Sequence, residues 1–106
     1  MTQEIWREIG VIDDIPPLGS RVISVNAGDI AIFRTSDDHV FALDDLCPHK
    51  QGKLSQGIVH DRAVTCPLHS WVIGLDDGKA LDPDEGCTKT HEIRLEGRRI
   101  FLRLTA

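Results

Sequence analysis

The sequence predicts an all-β fold, a sandwich or small barrel of short antiparallel strands, and three observations carry that prediction. Apolar residues recur with a period near two, β-branched residues concentrate in short runs, and compact turn sequences separate those runs. No window of about a dozen residues has the spacing of an amphipathic helix. The 106 residues, 41% of them hydrophobic, are enough for a single domain with one modest core.

Each predicted strand is bounded by Gly, Pro or Asx residues. A first strand over 6–12 is followed by Pro16-Pro17-Leu18-Gly19, where the prolines prevent any element from continuing. Turns, in which Gly or Asx can adopt a positive φ, are predicted at 26–29, 36–39, 76–79 and 96–98. The remaining strands are predicted over 21–25, 30–35, 40–43, 63–66, 71–75, 92–95 and 99–104, in the order of an antiparallel meander.

The charge balance and the lengths of the apolar runs exclude several classes of protein. Lys and Arg number 12 against 17 Asp and Glu, and the net charge of −5 leaves no dense basic face for nucleic acid. No apolar run exceeds four residues, whereas a membrane-spanning helix needs about twenty. Residues 1–10 lack the features of a secretory signal. We therefore expect a cytoplasmic protein with no nucleic-acid partner and no membrane partner.

Charge is distributed unevenly along the chain. Residues 44–75 contain three acidic and three basic side chains, so the whole net charge lies outside this segment. The sequence therefore predicts a single domain over 1–106, in which 1–43 and 76–106 form a base and 44–75 form a separate functional part.

Two loops within 44–75 repeat one pattern of metal-binding residue types. Cys47-Pro48-His49 is followed, after sixteen residues, by Cys66-Pro67-Leu68-His69. A lone Cys is most often a small buried side chain, and a lone His is most often a surface residue, but their joint spacing indicates a metal centre. Two thiolates and two imidazoles suit a metal better than they suit nucleophilic catalysis, and no catalytic residue is predicted in this chain.

Two kinds of metal centre fit these four side chains. Tetrahedral zinc usually has two to four residues between the members of a ligand pair, and the single residue between Cys47 and His49 is short for that geometry. A [2Fe-2S] cluster places both Cys on one iron and both His on the other, so each loop contributes one ligand to each iron. A zinc-stabilised interaction module without a redox role remains the alternative from another class.

The ligand pattern resembles that of Rieske iron-sulfur proteins. More narrowly, Cys47-Pro48-His49-Lys50, residues 54–57, residues 66–71 and residues 83–87 resemble the small subunit of assimilatory NAD(P)H-dependent nitrite reductase, along nearly the whole chain. The resemblance implies a Rieske-type antiparallel β-sandwich with a small cluster-binding subdomain. It also implies a [2Fe-2S] cluster held by Cys47, His49, Cys66 and His69.

The same resemblance implies a role in nitrate assimilation. The chain would act as an electron-transfer subunit of an oxidoreductase, beside a large flavin and sirohaem nitrite reductase subunit that reduces nitrite to ammonium. The alternative within the Rieske proteins is a ferredoxin of an aromatic-ring hydroxylating oxygenase system.

Three residues are expected beside the ligands: Lys50, Leu68 and Trp71. Respiratory-complex Rieske proteins have hydroxyl side chains at the positions of Trp71 and Ile73, so their absence here predicts a lower reduction potential. Leu68 stands where those proteins have a disulfide Cys, and Lys50 could steer an acidic partner. Cys87 is expected to be a partly buried structural thiol, and His39, His60 and His91 are expected on the surface.

Overall fold

The computed structural model describes residues 4–25, 28–46, 52–67, 71–81 and 86–105. Within these ranges the chain forms two short 3-10 helices, Ile12–Asp14 and Leu54–Gln56, and ten strands. The strands are β1 (Glu4–Val11), β2 (Ser20–Val25), β3 (Gly28–Arg34), β4 (Val40–Asp44), β5 (Ile58–His60), β6 (Ala63–Thr65), β7 (Val72–Gly74), β8 (Thr90–His91), β9 (Ile93–Glu96) and β10 (Arg99–Thr105).

The strands form three antiparallel sheets, which confirms the all-β prediction. The terminal sheet has the order β1-β10-β9, the central sheet β2-β3-β4-β8, and the small sheet β5-β6-β7. Two pairings depart from a simple meander, because β1 pairs with β10 and β4 pairs with β8. The small sheet lies wholly within 44–75. The division of the domain into a base and a separate functional part over 44–75 stays a prediction.

The apolar run 30–33 is explained by the burial of β3 on both faces. Ile30 and Ile32 join one core, and Ala31 and Phe33 join the other, as expected for alternating side chains in a covered strand. The terminal-sheet core consists of Ile12, Ile15, Ile30, Ile32, Val40, Ala42, Ile100 and Leu102. The small-sheet core consists of Ala31, Phe33, Leu43, Leu54, Val59, Val64, Cys66, Ile73 and Leu75.

The predicted turns show the backbone geometry that their residue types allow. Asp38 and Gly97 have φ values of 64° and 62°, and Gly78 has a φ of 70°. A Cβ at position 78 would also collide with the Thr88 carbonyl oxygen, so both conformation and space require glycine there. The turns at Asp38 and Gly97 join β3 to β4 and β9 to β10, strands that the sequence placed within two residues of their observed ends.

Strands β5 and β8 were not predicted. β8 has two residues, too few to display a period of two, and in β5 the apolar residues Ile58 and Val59 are adjacent rather than alternating. Each exists because a longer partner supplies its hydrogen bonds, β6 for β5 and β4 for β8. Among the described residues, none belongs to a helix long and apolar enough to cross a membrane.

Two exposed ion pairs connect β1 and the 3-10 helix that follows it to Arg98 and Arg99, at the start of β10. Arg98 donates from Nε to Asp13 Oδ2 at 2.8 Å, and a second contact joins Arg98 Nη2 to Asp13 Oδ1. Arg99 donates to both carboxylate oxygens of Glu8, from Nη2 at 2.6 Å and from Nε at 3.0 Å. These hydrogen bonds lower the pKa of Asp13 and of Glu8 from their ordinary values.

We expect this connection to weaken in acid. A carboxyl group whose pKa is lower in the folded state stabilises the fold above its unfolded pKa, and that stabilisation is lost as pH falls through the folded pKa. The free energy of unfolding in urea should therefore decrease below about pH 4.5. Arg98→Gln should reduce this pH dependence, whereas Arg7→Gln, at an exposed arginine of β1, should not. Identical pH profiles for the parent and Arg98→Gln would contradict the assignment.

Candidate metal centre

The first predicted ligand loop begins where β4 ends. The chain leaves β4 at Asp44, passes through Asp45 and Leu46, and is described again from Gly52, just before the 3-10 helix Leu54–Gln56. The predicted ligands Cys47 and His49, and their neighbour Lys50, lie outside the described residues. The structure therefore describes the residues on either side of this loop, 44–46 and 52–56, which we call the loop base.

Asp45 joins the two sides of this base. It is 4% exposed, and its carboxylate accepts hydrogen bonds from the Ser55 backbone N–H at 2.7 Å and from the Ser55 hydroxyl at 2.8 Å. The Asp45 N–H donates to the Asp29 carbonyl at 3.0 Å, and the Ser20 hydroxyl donates to the Ser55 carbonyl at 2.8 Å. The loop base is thus attached to β2 and β3 of the central sheet.

Asp44 attaches the same loop to β8. Its N–H donates to the Lys89 carbonyl at 2.9 Å, and its Oδ1 lies 2.7 Å from His91 Nε2. The His91 side chain is only 14% exposed, so the expected surface position is wrong for this histidine. His39 is exposed as expected, whereas His60 is half-buried in β5 with its Nε2 2.6 Å from the Thr65 hydroxyl.

The second predicted ligand loop lies in the sequence between β6 and β7, which pair with each other. Thr65 pairs with Val72, and the Cys66 N–H donates to the Trp71 carbonyl at 2.6 Å, so the two ends of this segment are held side by side. Leu68 and His69 lie outside the described residues. Of the four predicted ligands, the structure therefore describes Cys66.

Cys66 and the base of the first loop belong to one hydrophobic core. Cys66 is 1% exposed and lies in the small-sheet core together with Leu54, which directly precedes Ser55. Trp71 is half-buried and packs against the same core, and Ile73 is fully buried in it. Residues next to both loops therefore pack in the same hydrophobic core, the small-sheet core.

The residues that the structure describes fit a metal centre of the predicted kind. Cys66 belongs to the small-sheet core directly after β6, and its thiolate is a soft ligand of the kind that suits iron or zinc. Within the described ranges, no group of three or more His, Cys, Asp or Glu side chains is placed to hold a metal ion. The other predicted ligands, Cys47, His49 and His69, lie outside the described residues.

Cys87 is exposed, so the expectation of a partly buried thiol is wrong. The backbone around it pairs with the segment that follows β7: Ala80 N–H donates to Gly86 O at 2.9 Å, and Thr88 N–H donates to Gly78 O at 2.8 Å. This pairing is made by the backbone alone, which leaves the side chain of Cys87 at the surface.

Comparison with known proteins gives one family over nearly the whole chain. The Rieske-like [2Fe-2S] domain matches residues 5–103. The ferredoxin component of the naphthalene 1,2-dioxygenase/salicylate 5-hydroxylase systems of a Ralstonia species is 32% identical over 105 residues, which cover 98% of this chain and 99% of that protein.

Two solved structures are similar from end to end. One, from Mycobacterium tuberculosis, is assigned as an NADH-dependent nitrite reductase small subunit. It has a TM-score of 0.85 and 26% identity, with 98% of each chain covered. The other is the Escherichia coli protein NirD, with a TM-score of 0.81 and 28% identity over 95% of this chain and 97% of that one.

Proposed function

The chain belongs to the Rieske-like [2Fe-2S] domain family, and we propose that it is the small electron-transfer subunit of an NAD(P)H-dependent nitrite reductase. Its cofactor is a [2Fe-2S] cluster, which takes up and releases one electron when bound. The proposed ligands are Cys47 and Cys66 on one iron and His49 and His69 on the other. A zinc-stabilised module is set aside because the family is an iron-sulfur family.

The observation that carries this proposal is the end-to-end similarity to the M. tuberculosis small subunit. It agrees with the sequence resemblance, which extends beyond the ligand loops to residues 83–87. The match covers 98% of each chain. The proposed partner, which the resemblance implies, is a larger protein that carries flavin and sirohaem.

The proposed ligands explain why such a subunit accepts an electron readily. Two neutral imidazoles, His49 and His69, replace two thiolates and so remove two negative charges from the ligand set. An added electron then meets less electrostatic repulsion than it would beside four thiolates. The chain itself supplies the ligands and their surroundings, and the large subunit supplies the site at which nitrite is reduced.

Exposed apolar side chains at the bases of the two loops support docking at this end of the molecule. Leu46, which directly precedes Cys47, is 49% exposed. Leu81 is 51% exposed, and its N–H donates to the carbonyl of Val72, which pairs with Thr65 beside Cys66. Ile58, opposite Thr65 on the other side, is 70% exposed. Such residues favour contact with a protein partner.

A second candidate function is a ferredoxin that supplies electrons to an aromatic-ring hydroxylating oxygenase. The full-length similarity to the Ralstonia ferredoxin component favours it. Both functions use the same one-electron chemistry and differ in the partner. The cytoplasmic location expected from the sequence also stays a prediction.

The partner distinguishes the two functions. We expect the full chain, carrying an affinity tag and purified anaerobically from its source cells grown on nitrite, to copurify with a large protein showing sirohaem absorption. Adding it to that protein should increase NADH- or NADPH-dependent nitrite consumption, and the apoprotein serves as the control. Copurification with a non-haem iron oxygenase, or stimulation of aromatic-ring hydroxylation alone, would favour the ferredoxin function instead.

A further inference from the structure

Asp45 places a buried acidic side chain two residues before the proposed ligand Cys47. We propose that Asp45 and Ser55 form a clamp that positions the first ligand loop, and that the charge of Asp45 lowers the reduction potential of the cluster. This inference rests on the proposed ligand set. It assigns a role to two residues that are not themselves ligands.

The clamp is bidentate and joins the two ends of the loop. Both oxygens of the Asp45 carboxylate accept hydrogen bonds from the same residue, one from its backbone N–H and one from its hydroxyl, across nine intervening residues. Two bonds to one partner fix the orientation of the carboxylate as well as its position. Closing a loop costs conformational entropy, and the two hydrogen bonds between Asp45 and Ser55 offset that cost.

The clamp is held in turn by the central sheet. The Asp45 N–H is bonded to Asp29 of β3, the Ser55 carbonyl is bonded to Ser20 of β2, and the adjacent Leu54 has no exposed surface. These contacts leave both ends of the clamp little freedom to move. Under the proposal, Asp45 is the fixed point from which the chain continues to the proposed ligand Cys47.

The charge of Asp45 is close to the proposed ligand because of covalent geometry. Two peptide units separate Asp45 from Cys47, so their α-carbons lie at most about 7.6 Å apart. Asp45 is buried, so water screens this charge less than it would at the surface. A fixed negative charge at this range opposes the addition of an electron and lowers the reduction potential.

Geometry and charge can be separated by substitution. In Asp45→Asn, the amide oxygen can still accept from the Ser55 N–H, and the amide NH₂ can donate to the Ser55 hydroxyl, so both bonds can persist without the charge. Asp45→Ala removes both bonds and the charge, and Ser55→Ala removes one bond only. Ser24→Ala is the matched control, because the Ser24 hydroxyl donates to Asp29 Oδ1 at 2.8 Å on the exposed surface.

The experiment uses the full chain loaded with its cluster under anaerobic conditions. Three quantities are measured: the decay of visible absorption in the presence of an iron chelator, the electron paramagnetic resonance spectrum of the reduced protein, and the midpoint potential. We expect Asp45→Ala to lose the cluster about 10- to 100-fold faster than the parent. Ser55→Ala should lose the cluster at a rate between those of the parent and Asp45→Ala, and its electron paramagnetic resonance spectrum should be broader. Ser24→Ala should match the parent in both measurements.

Asp45→Asn tests the charge. We expect it to retain the cluster as long as the parent does and to shift the midpoint potential upward. An unchanged potential in this variant would overturn the electrostatic part of the proposal. If Asp45→Ala fails to fold, as judged by far-ultraviolet circular dichroism, Ser55→Ala and Asp45→Asn still decide the matter.

Failure of the clamp is distinguishable from failure of the ligand set. A parent protein without iron, or a Cys47→Ser variant that keeps the cluster, would contradict the proposed ligands. A loaded parent whose Ser55→Ala variant loses the cluster no faster than Ser24→Ala, with an unchanged spectrum, would refute the clamp alone.

Discussion

Cys66→Ser is expected to abolish the visible absorption of the anaerobically purified protein. Cys66, which carries the proposed sulfur ligand, is 1% exposed directly after β6, and serine occupies nearly the same space with a much poorer iron ligand. The parent should contain iron and acid-labile sulfide in equal amounts. Cys47→Ser and His69→Ala should have the same effect as Cys66→Ser, since each removes one of the four proposed ligands.

Cys87→Ser provides the matched control for these substitutions. The thiol of Cys87 is exposed, and its neighbours are held to 78–80 by backbone hydrogen bonds. This variant should therefore keep the absorption of the parent. Bleaching of Cys87→Ser would show that the third thiol is a ligand, and stoichiometric zinc without iron in the parent would contradict the iron-sulfur assignment. Iron, zinc and sulfide analysis of all variants is the measurement.

Phe33→Ala and Ile32→Ala should both be strongly destabilising, by about 3–5 and 2–5 kcal/mol respectively, because each leaves a cavity in a closed core. Neither side chain has any exposed surface, although the two are neighbours on β3. Losses of this size are a large part of the stability of a small domain. Urea unfolding followed by far-ultraviolet circular dichroism under anaerobic conditions measures them.

The two substitutions should differ in their effect on the [2Fe-2S] cluster. Phe33 packs in the small-sheet core with Leu54 and Cys66, whereas Ile32 packs in the terminal-sheet core. Phe33→Ala should therefore change the visible circular dichroism of the loaded protein, and Ile32→Ala should leave that spectrum unchanged. Val22→Ala, at a side chain 42% exposed, is the control and should change stability by less than about 0.5 kcal/mol. Equal spectral changes in Phe33→Ala and Ile32→Ala would contradict this division of the core.

The sequence alone predicted those features that depend on neighbouring residues. Strands were predicted over 30–35 and 40–43, where the structure has β3 and β4, and an Asx turn was predicted between them, where Asp38 has a positive φ. The prediction of a metal centre also came from spacing, because ligand type and loop length are local properties, and the four ligands stay a prediction. Of these four, the structure describes Cys66, buried directly after β6.

Only the tertiary structure decided the contacts between distant segments. Asp44 meets His91 and Asp45 meets Ser55 because β4 lies between β3 and β8 and because Leu54 packs in the small-sheet core. Local periodicity carries no information about which strands pair, so the pairing of β1 with β10 and the existence of β5 could not be read from it. Cys87 is exposed, and the backbone on either side of it pairs with residues 78–80. This contact between segments is likewise not visible in local periodicity.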